Sequence, residues 1–229
     1  MPLDISLCVY TNCSKFNSDN INLISNTIES FNDTFNITNI NKIIVFIDSN
    51  PETQNFHTYQ SQIQKYLQKW KDKNPQIIST FGLSDGYLKS LVVIDTKFIF
   101  QLEHDWNFVK KNIHHDLSEI LSTMERNKLH YLRFNKRPNV SYFWDKYITE
   151  INTDDIKICE TPNMSNNPHI IDKDIYLKNE YDKIIKFKPG SHGIEEEFNL
   201  SKKVGYLYGE ESHPATIIHI DGKKEFKLR

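Results

Sequence analysis

Hydrophobic and polar positions change period several times along the chain. Residues 3 to 10, LDISLCVY, form a short strand-type run closed by the polar Thr11, Asn12 and Ser14. Ile21, Ile24, Ile28 and Phe31 then recur at helical spacing, which predicts an amphipathic helix. KIIVFID, residues 42 to 48, is an unbroken β-branched and aromatic run that stops at Ser49, Asn50 and Pro51, the pattern of a strand buried on both faces. Tyr59, Ile63, Tyr66, Leu67 and Trp70 mark a second helix, and QIIST a third strand. LSDGYLKSLVVID carries a helix start at Ser84 or Asp85 and leads into the apolar run FIFQLE. FVKKNIHHDLSEILSTMERN reads as a helix with Val109, Ile113, Leu117, Leu121 and Met124 on one face, after which LHYLRF returns as a strand. Beyond about residue 138 the alternation loosens and loops lengthen, and ATIIHI closes the pattern as a last strand.

Strands that alternate with helices pair in parallel, because a parallel pair needs a crossover and the crossover helices cover the sheet's faces. The expected fold class is therefore α/β, a three-layer α/β/α sandwich around a mainly parallel, Rossmann-like sheet. With 229 residues, no internal repeat and no low-complexity linker, residues 1–229 are expected to form a single domain. Ligands in such sheets bind beyond the carboxyl ends of the strands. Asn12, Asp48 and the Glu103 to Asp105 stretch all fall there.

Composition narrows the function classes. The chain is 25% charged and 38% hydrophobic, a globular balance. Its 28 basic and 30 acidic residues leave a net charge of -2, which gives no electrostatic reason to expect a nucleic-acid partner. Cys8, Cys13 and Cys159 are odd in number and lack a Cys-x-x-Cys spacing, so neither a disulfide framework nor a structural zinc site is expected. MPLDISLCVYTNC reads as a first strand and not a signal peptide, and no run reaches the roughly 18 apolar residues of a membrane span. A reducing, cytoplasmic setting is expected, the host's cytoplasm if the chain is viral.

The chemistry concentrates in FIFQLEHDWNF, residues 98 to 108, where an apolar run ends in Glu103, His104 and Asp105. Side chains in a strand alternate faces, so Glu103 and Asp105 are expected to share a face and His104 to take the other. Two converging carboxylates suit a hard divalent cation, Mg²⁺ or Mn²⁺, whose shell is completed by phosphate oxygens and water. A solvated strand end followed by a helix cap explains the same triplet.

The order of a first strand ending in small polar residues, FIDSNP, SDGYLKSL and FIFQLEHDW resembles the nucleotide-sugar half of GT-A glycosyltransferases, with EHD where that fold has its Asp-x-Asp motif. The resemblance implies a nucleoside diphosphate sugar donor, a glycan or other hydroxyl acceptor and Mn²⁺ or Mg²⁺. It makes residues 1–108 the nucleotide-sugar-binding half and 109–229 the acceptor and catalytic half. Asp105 is the expected metal ligand, assisted by Glu103, with His219 of HPATIIHIDGKK completing the site and His213 as its competitor. Donor contacts are expected from Thr11, Asn12, Asp48, Asp85, Lys89, Glu103, His104 and Asp105, with Lys223 and Lys224 over the diphosphate. GSHGIEEEFN is similar to the acidic segment from which inverting members draw their base, so Glu196, with Glu195 as the alternative, is the expected catalytic base. A charged, dipole-stabilised helix start is the competing explanation for that segment.

Trp106, Asn167 and His169 are weaker acceptor-side candidates. Arg133, Lys136 and Arg137 of LRFNKRPN read either as a solvated loop or as a phosphate contact. His114 and His115 read as surface residues. Two alternatives stay open: a nucleotidyltransferase, which the Gly-free TNCSKFNSDN after the first strand disfavours, and a non-catalytic glycan- or nucleotide-binding module of the same fold.

Overall fold

The computed structural model describes residues 2–12, 20–48, 56–142, 145, 147–151, 153, 156–184 and 205–220. Strand β1 (Ile5–Asn12) is buried through Thr11, and its side chains alternate between two apolar layers. Ile5, Leu7 and Val9 pack into the layer of α1 (Asn20–Phe35), α2 (Phe56–Leu67) and α4 (Leu117–Arg126). Cys8 and Tyr10 pack into the opposite layer, with α3 (Gly82–Val93) and α5 (Lys173–Ile184). A strand covered on both faces has no polar side to show, which is why its sequence reads as a continuous apolar run.

The main sheet has nine strands. Their order is β3 (Gln76–Thr80), β2 (Lys42–Asp48), β1, β4 (Phe98–Glu103), β9 (His169–Asp172), β6 (Tyr131–Arg133), β10 (Gly205–Tyr208), β8 (Ile158–Thr161) and β7 (Thr149–Ile151). The first four are mutually parallel. β9 is antiparallel to β4 and β6, β10 is parallel to β6, and β8 is antiparallel to β10 and β7. Only β8 and β9 therefore run against the common direction, and the expected three-layer sandwich with a mainly parallel sheet is what the chain forms. The parallel register aligns Asn12 with Asp48, Asp48 with Thr80, and Tyr10 with Glu103. Four strand ends thus meet at one edge.

Two elements depart from the pattern-based expectation. Helix α3 starts at Gly82, earlier than Ser84 or Asp85. Gly82 has φ 83°, a left-handed conformation that costs glycine little, and its N–H donates to Asp48 Oδ1 at 3.0 Å. Asp85 then accepts from the Phe81 N–H at 2.8 Å. No helix starts at residue 108; instead β5 (Trp106–Phe108) pairs with β11 (Ile217–His219) in a separate two-stranded sheet. The helix waits for Asp116, whose side chain accepts from the Glu119 N–H while Glu119 accepts from the Asp116 N–H, a reciprocal cap. Val109 and Ile113 fall before it, although Leu117, Leu121 and Met124 are buried on the expected face.

What holds β5 in place is aromatic packing. Phe31 and Phe35 of α1 meet Phe100, Phe108 and Phe134 with ring centroids between 5.0 and 6.1 Å, mostly edge-on or tilted. Such pairs contribute about 0.5–1.5 kcal/mol each beyond their buried area. Ser30 Oγ accepts from the Phe108 N–H, and Thr27 donates to the His104 carbonyl, both at 2.7 Å. Helix α1 thereby fixes the turn that carries the acidic triplet.

Candidate functional site

The four parallel strand ends open onto a cavity of about 330 Å³. Its lining contains Thr11 and Asn12 from β1, Asp48 from β2, Thr80 from β3, Gly82 and Leu83 from the start of α3, and Glu103 and His104 after β4. Five of the sequence-predicted donor residues, Thr11, Asn12, Asp48, Glu103 and His104, therefore share one space. Thr11 is further fixed by a 2.5 Å hydrogen bond between its hydroxyl and that of Tyr59. Sequence reasoning missed Thr80, Gly82 and Leu83; the end of β3 at the same sheet edge was the available signal.

Asp85 and Lys89 do not line this cavity. They pair with each other at 2.7 Å, and Lys89 also donates to the Ser79 carbonyl. Burial alone would raise the Asp85 carboxyl, but the Lys89 ammonium and the Phe81 N–H hold it below the usual carboxylate range. Both residues shape the entry into α3, whose Gly82 and Leu83 form the cavity wall.

The strand does not run through the acidic triplet. β4 ends at Glu103, and His104 and Asp105 form a turn into β5, so simple alternation does not put Glu103 and Asp105 on one face. Glu103 stays on the cavity wall. Asp105 turns to His219, which the β5–β11 register sets opposite Trp106. His219 Nε2 lies 3.0 Å from Asp105 Oδ2, and its ring rests 4.5 Å from that of Trp106. Asp105 also accepts the Ile220 N–H through its backbone carbonyl. Its other carboxylate oxygen, Oδ1, is buried and has no hydrogen-bond partner among the described residues.

A buried carboxylate oxygen without a partner is costly, and this one, beside an imidazole nitrogen, offers the oxygen and nitrogen donors that a divalent cation could use. Among the described residues no three His, Cys, Asp or Glu side chains gather closely enough to hold a metal by themselves. Among the described residues Asp105 and His219 could each offer such a cation one ligand, leaving the rest of its shell to ligand oxygens and water. The competitor His213 is committed elsewhere. It is buried, with Nε2 2.8 Å from the Asn112 carbonyl, and packs on Tyr208 and His114.

A second, small cavity of about 10 Å³, room for roughly one water, adjoins the first and shares Tyr10, Leu83 and Glu103 with it. Asn166 and His169 close its far side. His169 Nδ1 lies 2.7 Å from the Asn167 carbonyl, which fixes the proton on Nδ1 and turns Nε2 toward the Tyr87 hydroxyl. Burial, and more weakly the Arg133 charge, bring its pKa down to about 4, although the Asn167 carbonyl pulls it up. His169 is thus a neutral group at the wall of the site. Asn167 is itself buried, and it is its neighbour Asn166 that reaches the cavity.

Of the three cations in LRFNKRPN, Arg133 is no surface group. It is 3% exposed, ends β6, pairs with Asp145 and donates to Ser165 Oγ at 3.2 Å. Lys136 and Arg137 are exposed. His114 is exposed and His115 half-buried, and both bond the Tyr208 hydroxyl, His114 through its backbone. Cys8 and Cys159 are buried free thiols, and burial pushes Cys159 up to about 12. Glu195, Glu196, Lys223, Lys224, Trp144 and Cys13 lie outside the described residues.

No family model matches the sequence, and no curated protein matches it significantly. Solved structures do. The chain is similar to Staphylococcus aureus TarS residues 1–349 in complex with UDP-GlcNAc, with a TM-score of 0.60 at 14% identity, covering 97% of this chain and 60% of that one. It is similar to GalNAc-T7 with UDP, GalNAc and Mn²⁺, with a TM-score of 0.56 at 10% identity over 91% of this chain and 45% of that one. The mannosyltransferase PcManGT from Pyrobaculum calidifontis, with GDP-Man and Mn²⁺, gives a TM-score of 0.53 at 10% identity over 78% and 47%. The fold is GT-A-like, as the sequence resemblance implied. At 229 residues the chain spans 60% or less of each of these structures.

Proposed function

We propose that this protein is a metal-dependent glycosyltransferase that moves a sugar from a nucleoside diphosphate donor to an acceptor hydroxyl with inversion. The observation that carries the reading is the 330 Å³ cavity at the ends of four parallel strands, lined by Asn12, Asp48 and Glu103, beside the Asp105–His219 pair with its orphaned carboxylate oxygen. Structures that share the fold hold UDP-GlcNAc, UDP with Mn²⁺, and GDP-Man with Mn²⁺, which supports a diphosphate and a divalent cation as ligands. Residues 1–108 bind the donor, and residues 109–229 supply the acceptor side and the base, within one domain.

In this reading Asp48, Asn12 and Thr11 receive the base and ribose through hydrogen bonds to neutral N–H and O–H groups. Asp48 keeps one oxygen on the Gly82 N–H, so its orientation is fixed before the nucleotide arrives. Glu103 and His104 face the sugar side. Asp105 and His219 hold Mn²⁺ or Mg²⁺, which when bound supplies Lewis acidity to the leaving diphosphate. Glu196, or its neighbour Glu195, takes the proton of the acceptor hydroxyl. The hydroxyl oxygen bonds to the sugar's anomeric carbon, the bond from that carbon to the β-phosphate oxygen breaks, and its electron pair leaves with the nucleoside diphosphate. Lys223 and Lys224 offset the charge of that leaving group.

A panel of UDP-, GDP-, TDP- and CDP-sugars with Mn²⁺, read by release of the nucleoside diphosphate with and without hydroxyl acceptors, tests this. Release from one donor, stimulated by an acceptor, is expected. No release from any donor under either condition contradicts the assignment.

A further inference from the structure

Exposed apolar side chains are not spread evenly. Three of the seven large ones among the described residues, Val140, Tyr142 and Tyr147, fall on the connection between β6 and β7. Tyr142 is 56% and Tyr147 74% exposed. The same connection carries Lys136 and Arg137, both exposed and, among the described residues, neither in an ion pair, although Lys136 lies over the Trp106 ring. Glu210 and Glu211, on the turn that meets this connection through Asn139, form no ion pair with them.

Two described residues of the connection, Asn139 and Asp145, are anchored by buried hydrogen bonds. Between the two tyrosines, Asp145 is buried and accepts from both Arg133 and Thr161, the latter at 2.8 Å. Asn139 is buried and its side-chain amide donates to the carbonyls of Tyr208, Gly209 and Glu210 at 3.0 to 3.2 Å. Exposed tyrosines on a pinned backbone lose little conformational entropy on binding, the property that makes them contact residues. The position is also telling. Lys136 Nζ lies 5.5 Å over the ring of Trp106, which also packs against His219 of the candidate metal pair. Arg133, at the root of the connection, is in register with His169 on the cavity wall.

We infer that the β6–β7 connection is the acceptor-binding surface and that its occupant is an anionic glycan, with sugar rings on Tyr142 and Tyr147 and a phosphate or carboxylate on Lys136 and Arg137. This rests on the glycosyltransferase reading and names the acceptor class for it. Tyrosine faces suit the C–H faces of a sugar ring, and their hydroxyls suit its oxygens. The cations select for charge, and because they are exposed their contribution falls with salt.

The test is calorimetry on the full chain, without donor, using a neutral trisaccharide, the same trisaccharide carrying one phosphate, and the same carrying one carboxylate. Both charged sugars should bind about tenfold tighter than the neutral one at low salt, a preference that shrinks at high salt. If only the phosphate form gains, the anion is a phosphate, and if only the carboxylate form gains, a carboxylate. Lys136→Ala with Arg137→Ala should erase the preference. Tyr142→Ala with Tyr147→Ala should weaken all three sugars about fivefold to tenfold. Circular dichroism confirms that each variant is folded. Equal affinity for charged and neutral sugars, or a preference that survives loss of both cations, overturns the inference. A parallel titration with UDP or GDP and Mn²⁺ separates this from the donor reading. Its loss in the lysine and arginine variant would assign the cations to the donor and also overturn the inference. Absence of metal-dependent nucleotide binding in the unaltered chain instead strikes the glycosyltransferase reading alone.

Discussion

The two halves of the molecule share one apolar core but differ in how they hold their strand ends and loops. Through Phe108 the chain is a regular β/α alternation whose strands β1, β2 and β4 are apolar on both faces, packed by α1, α2 and α3. Beyond it the strands shorten to three or four residues, and buried polar groups take over the positioning. Arg133, Asp145 and Thr161 form one such network, Asn139 and three carbonyls another, and His213 with Asn112 a third. A half built by apolar burial tolerates one changed contact, because dispersion is spread over many atoms. A half built by a few buried hydrogen bonds concentrates the loss in single residues.

The largest contrast is expected in catalysis. Glu196→Gln should lower kcat by roughly 10²- to 10⁴-fold with nucleotide affinity nearly unchanged, because a general base acts in the transition state. Glu195→Gln should do less, and a reversed ranking moves the base by one residue. If the double variant still transfers at a near-normal rate, the acceptor half does not supply the base.

Next in size is the buried ion pair. Arg133→Ala leaves Asp145 charged and buried with Thr161 as its remaining bonded partner, so chemical denaturation should show a loss on the order of 3–5 kcal/mol. Arg133→Ala with Asp145→Leu should recover much of it, since removing both charges ends the mismatch. A loss below about 1 kcal/mol for the single variant would show that the second half does not depend on this pair.

A smaller effect comes from His169. Its folded pKa of about 4 lies below the ordinary value of 6.5, so as pH falls from 6.5 towards 4 the unfolded chain takes up a proton that the folded chain refuses. Stability should therefore be full above pH 6.5 and fall across that window, by at most about 3 kcal/mol. His169→Gln should flatten that part of the pH–stability curve. An unchanged slope would mean that His169 is protonated while folded.

The contrast between the halves also explains what could be read from the sequence. β1, β2, β4 and their helices were legible because a doubly covered strand must be apolar throughout and a covering helix must repeat its apolar positions. The cavity at the strand ends was legible for the same reason: once Asn12, Asp48 and Glu103 end parallel strands, topology brings them to one edge. The turn after Glu103 was not legible, because its cause, the pairing of Trp106–Phe108 with Ile217–His219, is more than a hundred residues away in sequence. That pairing nevertheless brings Asp105 to His219. Arg133 illustrates the limit best, since nothing local distinguishes a buried arginine from its exposed neighbours Lys136 and Arg137 until Asp145 is seen against it.

In the proposed reaction Asp105 and His219 would join the two halves through a metal-bound nucleoside diphosphate. Calorimetric titration of the full chain with UDP and with GDP, each with and without Mn²⁺, measures this directly. At least one nucleotide should bind about tenfold or more tightly with Mn²⁺ than without it, and Asp105→Asn, which keeps the shape but removes the charge that holds a hard cation, should abolish that difference. Nucleotide binding that is indifferent to Mn²⁺, or a Mn²⁺ effect that persists in the Asp105→Asn variant, would contradict the account.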